Sequence, residues 1–130
     1  MLQIKEIVNS IFTSKTYILY SKGENKAWLV DIGDVEPVVT FLEKKGLTVG
    51  GIFLTHAHFD HIYGLPELVK QYPQCKIYVT EYAKEGLAFD KLNMSRYHET
   101  PITYVGDNVI VVHEEEEMTL FEDEPKMRFY

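Results

Sequence analysis

The residues best suited to chemistry lie in one short stretch, Thr55-His56-Ala57-His58-Phe59-Asp60-His61. Three histidines and one aspartate fall within six consecutive positions, 56 to 61. Imidazole and carboxylate groups suit Zn, Fe or Mn, and the stretch contains no thiolate that would select zinc. The stretch therefore predicts a metal site, with His56, His58, Asp60 and His61 as ligands.

Spacing along the stretch separates these ligands into two pairs. His56 and His58 are two positions apart, so extended backbone can aim both imidazoles to one side. Asp60 and His61 stand where a helix is expected to begin, with Asp60 as an N-cap or first-turn residue. Each group also has an ordinary explanation, because a lone histidine is usually structural and a lone aspartate before a helix is usually a cap. Four such groups at one strand end would crowd one another without a cation, which favours the metal site.

The elements that must position this stretch predict an α/β fold. The apolar run 50–54 before it predicts a buried strand, and the periodic run 62–69 after it predicts a helix that continues to residue 71. Residues 27–30 are continuously apolar, which indicates a central strand covered on both faces. The remaining strands are expected at 2–8, 16–20, 76–80, 109–112, 118–121 and 126–130, and the remaining helices at 35–45 and 81–87. Residues 21–25 predict the turn of a hairpin, and the strand–helix–strand order around 27–54 predicts a parallel crossover.

Composition narrows the classes of function. The chain has 130 residues, enough for one domain over 1–130, and its 20 acidic and 13 basic residues give a net charge of −7. This balance argues against a broad nucleic-acid interface. The single cysteine, Cys75, cannot form an intrachain disulfide and is expected to be a buried filler. No run has transmembrane length and no apolar signal peptide begins the chain, so we expect a cytoplasmic protein without membrane contact.

Three further residues could belong to a site. Asp31 ends the strand 27–30 and is either a turn former or a group that orients metal ligands, and the sequence favours neither. His98 lies in an expected loop, 90–103, and His113 precedes the acidic run 114–117, which is typical of a solvated turn. Both histidines are expected to be structural, with His98 the better candidate for a substrate pocket.

The stretch 55–61, at the end of an apolar strand, resembles the His-x-His-x-Asp-His signature of the metallo-β-lactamase-fold hydrolases, which include glyoxalase II. Trp28-Leu29-Val30-Asp31-Ile32-Gly33 resembles the earlier strand of that family, which ends in Asp and Gly. Gly64 matches the second glycine of the stretch that follows the signature, whereas Tyr63 replaces the first. The resemblance covers about residues 15–80 well.

The resemblance implies a metal-dependent hydrolase in which a metal-activated water attacks an ester, thioester, lactone or similar bond of a small-molecule substrate. His56 and His58 would bind the first metal ion, and Asp60 and His61 the second. Zn²⁺ is implied, with up to two ions, and Fe or Mn are alternatives. Asp60 would also orient the nucleophile or take its proton, and Asp31 would hold the ligand loop.

The chain departs from the family in its length. The resemblance implies an αββα sandwich of two similar halves, whose remaining ligands lie downstream, and the chain is expected to be the N-terminal half only. One hypothesis is therefore a truncated hydrolase that is inactive as a 130-residue chain. A second is a half-domain that acts as a binding or assembly module, with a homodimer covering its exposed sheet face. A nuclease is disfavoured by the acidic charge, and Ala57, where flavodiiron relatives have an acidic residue, favours hydrolysis over redox chemistry.

Overall fold

A computed structural model describes residues 2–10, 14–54, 62–80, 84, 87, 108–112, 117–118 and 127–128. In chain order its elements are β1 (Leu2–Val8), β2 (Lys15–Ser21), β3 (Lys26–Val30), α1 (Val35–Lys45), β4 (Thr48–Phe53), α2 (Leu65–Gln71), β5 (Lys76–Val79), β6 (Val109–Val111), β7 (Glu117–Met118) and β8 (Met127–Arg128). Strands β1 to β6 form one six-stranded sheet in chain order, and β7 and β8 form a separate pair.

The first half of the sheet is antiparallel because tight connections join its strands. β1 pairs antiparallel with β2, which in turn pairs antiparallel with β3. In the turn between β2 and β3, Gly23 takes a φ of 90°, a conformation that glycine adopts without steric cost. The N–H of Glu24 donates to the Ser21 carbonyl there, over 3.1 Å. The predicted hairpin is confirmed.

Helix α1 follows the apolar spacing of its sequence. Val38 and Leu42, one turn apart, are fully buried, and the exposed face is polar. Gly46 ends the helix in the left-handed conformation, with a φ of 67°, and its N–H donates to the Glu43 carbonyl over 3.1 Å. The helix predicted over 35–45 is confirmed, together with its glycine C-cap.

The second half of the sheet is parallel, and helices connect β3 to β4 and β4 to β5. β3 pairs parallel with β4 across α1, β4 pairs parallel with β5 across α2, and β5 pairs parallel with β6. Ala27 and Leu29 of β3 are fully buried, as expected for a central strand with neighbours on both sides. β4 begins earlier than the predicted run 50–54 and ends at Phe53, so Leu54 already belongs to the following loop.

Helix α2 begins later than the apolar run 62–69 predicts. Ile62 is helical, but Tyr63 and Gly64 form a turn before the helix begins at Leu65. The N-cap of α2 is Gly64, and Asp60, the predicted N-cap or first-turn residue, lies outside the described residues. Pro66 occupies the first turn, where its missing N–H costs no helical hydrogen bond, as predicted.

The two faces of the sheet bury different side chains. Aliphatic residues fill the face under the helices: Ile18, Leu29, Ile52 and Ile77 from strands, with Val38, Leu42 and Leu68 from α1 and α2. Aromatic rings cover the other face, where Phe53 stacks on Trp28 with centroids 5.8 Å apart and on Tyr78 at 5.3 Å. Gly51 makes room for them, since a Cβ there would lie 2.8 Å from a Trp28 ring atom. Both faces of the central strands are therefore buried.

Beyond β5 the structure describes only a few residues, and these agree with the predicted helix and strand that follow. Lys84 and Leu87 are helical, and the Lys84 N–H donates to the Thr80 carbonyl over 2.9 Å, in agreement with the helix predicted at 81–87. β6 confirms the strand predicted at 109–112. Among the described residues, no helix has the length and apolar character needed to span a membrane.

The pair formed by β7 and β8 agrees with two short strands near residues 118–121 and 126–130. Glu117 and Met118 pair antiparallel with Arg128 and Met127. Glu117 thus belongs to a strand, and its assignment to a solvated turn is wrong because pairing with β8 overrides the local acidic composition. Residues 90–103, with His98, and residues 113–116, with His113, lie outside the described residues.

Candidate metal centre

The carboxyl ends of the parallel strands form one edge of the sheet, where ligands bind in open α/β folds. Asp31 follows β3, Leu54 follows β4 and Val112 follows β6 at this edge. Each extends the ladder beyond its strand: Asp31 N donates to Phe53 O over 2.8 Å, Leu54 N to Tyr78 O over 3.1 Å, and Val112 N to Val79 O over 2.7 Å. The stretch 55–61 therefore leaves the sheet from a tightly hydrogen-bonded edge.

Both residues that flank this stretch are fixed in the core. Leu54, before it, is 6% exposed, and Ile62, after it, is fully buried. They belong to the same aliphatic cluster as the residues under α1 and α2. His56, His58, Asp60 and His61 themselves lie outside the described residues, so their role as metal ligands stays a prediction. The structure shows that the residues directly before and after this stretch, Leu54 and Ile62, are buried in the core.

Asp31 has the geometry of a turn former. It is the one non-glycine residue with a positive φ, 61°, in the described part of the chain, and it is only 3% exposed. An L-residue pays roughly 1–2 kcal/mol in this region, although aspartate tolerates it better than most. The hydrogen bond of its N–H to Phe53 and its burial hold it there. The turn-forming alternative is confirmed, and an additional role in orienting metal ligands stays a prediction.

Buried polar side chains fix the segment after Asp31. Asn9, the first residue of the β1–β2 connection, is 2% exposed and contacts the β3–α1 connection. Its amide nitrogen donates to the hydroxyls of Ser14 (3.3 Å) and Thr16 (3.1 Å), and its amide oxygen accepts the N–H of Asp34 over 2.8 Å. The hydroxyl of Thr16, which is fully buried, also accepts the Gly33 N–H over 3.2 Å. Satisfied buried polar groups of this kind make a segment rigid.

The carboxylate of Asp34 joins three segments that are distant in sequence. It accepts the backbone N–H of Ser10 over 2.8 Å, the hydroxyl of Ser10 over 2.9 Å and the hydroxyl of Tyr63. Burial raises the pKa of this carboxyl, but the hydrogen bonds from Tyr63 and Ser10 outweigh it and hold the pKa below its usual value. We call Asn9, Ser10, Asp34 and Tyr63 the Asp34 cluster.

Gly64 brings the backbone after the metal stretch into contact with the β3–α1 connection. Its N–H donates to the Ile32 carbonyl over 3.2 Å. A Cβ at Gly64 would lie 2.0 Å from the Gly33 carbonyl oxygen, closer than any side chain can pack. Gly33 is equally confined, because a Cβ there would lie 2.4 Å from the Asn9 side chain. Gly64 is thus needed for the close approach of its segment to the β3–α1 connection, and Gly33 for the contact of that connection with Asn9.

The donors of the predicted site suit a divalent cation, because three imidazoles and one carboxylate share one loop. All five histidines of the chain lie outside the described residues. Within the described residues alone, no three His, Cys, Asp or Glu side chains cluster closely enough to hold a metal ion. The described residues next to the predicted site are therefore Asp31, the Asp34 cluster and the two glycines.

Sequence reasoning missed the Asp34 cluster. Asn9 and Ser10 lie between strands with no local pattern that indicates a role, and Asp34 is an ordinary residue before a helix. The signal that could have found Tyr63 was its position, because it replaces a glycine of the pattern that the stretch resembles. Cys75 is fully buried, as predicted, and burial raises the pKa of its thiol.

Comparison with known proteins agrees with this architecture. The family model of the metallo-beta-lactamase superfamily matches residues 12–128. The chain is 31% identical over 102 residues to a hydroxyacylglutathione hydrolase of Pseudoalteromonas translucida, covering 72% of this chain and 39% of that protein. Among solved structures, the BLEG-1 B3 metallo-beta-lactamase superposes with a TM-score of 0.79 at 29% identity, covering 90% of this chain and 56% of that one.

A more distant structure shares the fold alone. TTHA1623, solved in a di-iron-bound form, superposes with a TM-score of 0.69 at 21% identity, covering 86% of this chain and 55% of that chain. The chain thus spans 39% of the first relative and 56% of BLEG-1, so it holds about half of the fold. The predicted fold class is confirmed. Since the family model matches most of its length, the chain belongs to the metallo-beta-lactamase superfamily.

Proposed function

We propose that the protein is a metal-dependent hydrolase, or the N-terminal part of one, that cleaves an ester, thioester, lactone or similar bond in a small molecule. Membership of the superfamily supports the proposal, as do relatives that are named as hydrolases of hydroxyacylglutathione. The observation that carries it is the support of the stretch 55–61. That stretch, rich in metal donors, leaves the carboxyl edge of the sheet between two buried residues, Leu54 and Ile62.

In this proposal His56 and His58 bind one ion, and Asp60 and His61 bind a second. A divalent cation held by these residues, Zn²⁺ foremost with Fe or Mn as alternatives, would supply a water molecule of lowered pKa and a Lewis acid for the scissile carbonyl. Asp60 orients the attacking oxygen or accepts its proton. Asp31, buried at the end of the adjacent strand, holds the entrance of the loop through its hydrogen bond to Phe53.

We further propose that full activity needs the part of the fold that this chain does not hold. Catalytic zinc sites usually have three protein ligands per ion, and the stretch provides two for each. The chain covers 39% of the Pseudoalteromonas translucida relative, so the additional ligands would come from a portion of the fold outside the match. The 130-residue chain is then expected to bind metal weakly and to hydrolyse slowly or not at all.

A second candidate function is a binding or assembly module without catalysis, working as a homodimer. The observation that favours it is on the edge strand β1, where Ile4 is 60% and Val8 56% exposed. Exposed apolar residues on an edge strand are a frequent site of pairing between chains.

In both candidates we place the protein in the cytoplasm, with neither a membrane nor a nucleic acid as partner.

The experiment that tests the proposal is a metal titration of the purified chain, with zinc binding measured by competition against a chromogenic chelator. We expect binding to be lost in His58→Ala and kept in His98→Ala, which changes a histidine outside the predicted ligand set. A thioester, a lactone and an ester are then assayed with the metal-loaded protein. Equal binding by the wild type and His58→Ala contradicts the hydrolase. Size-exclusion chromatography of Ile4→Lys then tests the dimeric module.

A further inference from the structure

We propose that Tyr63 is a positioning residue of the metal site. Its hydroxyl donates a hydrogen bond to the Asp34 carboxylate and so fixes the backbone directly after the stretch 55–61. This attachment orients the last two predicted ligands, Asp60 and His61. This inference rests on the proposed function, because it assigns a task to Tyr63 at the same site. It goes beyond the resemblance, since the pattern that the stretch resembles has a glycine at this position, and a glycine has no side chain that could bond Asp34.

The hydrogen bond from Tyr63 to Asp34 joins a half-buried donor to an acceptor that other residues hold in place. Tyr63 is half-buried and two positions after His61. Its acceptor, Asp34, is itself fixed, because its carboxylate accepts two hydrogen bonds from Ser10 and its N–H is held by Asn9. Asn9 in turn is buried and bonded to Ser14 and Thr16. The tyrosine hydroxyl is therefore bonded to a partly buried carboxylate that Ser10 and Asn9, both in the β1–β2 connection, already hold in place.

A second hydrogen bond, made by the neighbouring residue Gly64, helps the Tyr63–Asp34 bond to fix the orientation of this segment. The N–H of Gly64 donates to the Ile32 carbonyl, so the backbone next to Tyr63 is already held at one point. One point of attachment leaves a segment free to rotate about it, whereas two fix its orientation. The Tyr63 hydroxyl provides the second point, bound to Asp34 two positions after Ile32 in the same connection. Together they determine how the chain leaves the metal stretch.

Groups that support metal ligands through hydrogen bonds have measurable effects, and their loss typically weakens metal binding by about 10- to 100-fold. We expect an effect of this size from Tyr63→Phe, which keeps the ring and removes only the hydroxyl. Asp34→Asn keeps the shape of the acceptor and removes its charge, and should act in the same direction. If the two residues act through one bond, the double variant should be no worse than the stronger single variant.

The first test measures the metal site. Cobalt affinity and the visible absorption of the Co²⁺-loaded protein are compared for the wild type, Tyr63→Phe and Tyr20→Phe. Tyr20 packs against Phe41 towards the opposite end of the sheet and serves as the matched control. We expect Tyr63→Phe to lower the affinity about 10-fold or more and to shift the absorption bands at saturation, which a loss of stability alone would not do. Unchanged affinity and bands, or equal changes in Tyr20→Phe, overturn the proposal.

The second test needs no metal and separates this inference from the proposed function. Amide hydrogen exchange of a peptide covering residues 54–62 is measured in the metal-free protein, with Tyr20→Phe as the control that removes a tyrosine hydroxyl outside the Asp34 cluster. We expect exchange in this peptide to accelerate about 10-fold in Tyr63→Phe and far less in Tyr20→Phe. Equal exchange in the wild type and Tyr63→Phe overturns the positioning role. Failure of His58→Ala to affect metal binding instead overturns the proposed function, and exchange then decides the role of Tyr63 alone.

Discussion

Replacing Gly64 by alanine should destabilise the fold through a steric clash. The new Cβ would lie 2.0 Å from the Gly33 carbonyl oxygen, about 1.4 Å inside the 3.4 Å at which ordinary van der Waals contact begins. It would also lie 2.8 Å from a methyl of Val35. The first neighbour is backbone and cannot turn aside, so the segment must move and stretch the Gly64–Ile32 hydrogen bond. The clash therefore acts on the exit of the predicted metal loop.

The magnitude follows from three contributions. Overpacking a tight contact costs roughly 1–3 kcal/mol, and loss of one hydrogen bond adds about 1 kcal/mol. Alanine also restricts the unfolded chain, which offsets roughly 0.4–1 kcal/mol. We expect a net loss of about 2–3 kcal/mol in the free energy of unfolding and a decrease in Tm of about 10 °C. The φ of Gly64 is −89°, so backbone conformation contributes nothing to this loss.

Urea unfolding followed by fluorescence measures this difference, because Trp28 is the single tryptophan of the chain and is 9% exposed. Gly46→Ala is the matched control: its φ is 67° but no atom lies within 4 Å of the new Cβ. That variant reports the cost of the left-handed conformation alone, about 1 kcal/mol. If Gly64→Ala is no less stable than Gly46→Ala, the close approach does not constrain the fold and the reasoning is refuted.

Three other measurements test the support of the site. Asn9→Ala removes the acceptor of the Asp34 N–H and should lower the free energy of unfolding by about 2–4 kcal/mol, whereas exposed Asn25→Ala should change it little. The pKa of Asp34 is lower in the fold than the unfolded value near 3.9, so the stability it provides is present above about pH 4 and is lost as the pH falls through the folded pKa. Urea titrations should therefore show the difference between the wild type and Asp34→Asn shrinking below about pH 4, and a difference that stays constant would contradict this. The thiol of Cys75, buried and with a raised pKa, should react with Ellman's reagent only in urea, and rapid reaction of the native protein would contradict its burial.

Most of the regular structure could be predicted because its signals are local. The spacing of Val38 and Leu42, the glycine at 46 and the turn around Gly23 each act within a few residues of their own position. Such signals determine helix ends and hairpins whatever the rest of the chain does. The alternation of strands and helices then restricts the topology to a parallel crossover, and the structure has it.

The start of α2 shows where local reasoning fails. Apolar periodicity begins at Ile62, which is helical, yet Tyr63 and Gly64 form a turn before α2 begins at Leu65, where Gly64 approaches Gly33. This contact joins positions about thirty residues apart, and one sequence carries no record of it. Asp34 and Tyr63 are separated by 29 positions, and Asp34 and Ser10 by 24. The donor-rich stretch of the proposed site can be recognised from local sequence, whereas the contacts that join Ser10, Asp34 and Tyr63 could not be predicted because they connect distant positions.

The division between donors and support has a consequence for folding. Leu54 and Ile62, at the two ends of the metal stretch, are buried in the same, mainly aliphatic core as Val38, Leu42 and Leu68 of α1 and α2. The sheet and its hydrogen-bonded edge thus have their own source of stability, unlike small domains that fold only when metal binds. Metal affinity and stability should then respond to different substitutions. A change in the core, such as Leu68→Ala, should lower the free energy of unfolding by roughly 2–5 kcal/mol, whereas a change at Tyr63 should act mainly on the direction of the ligands.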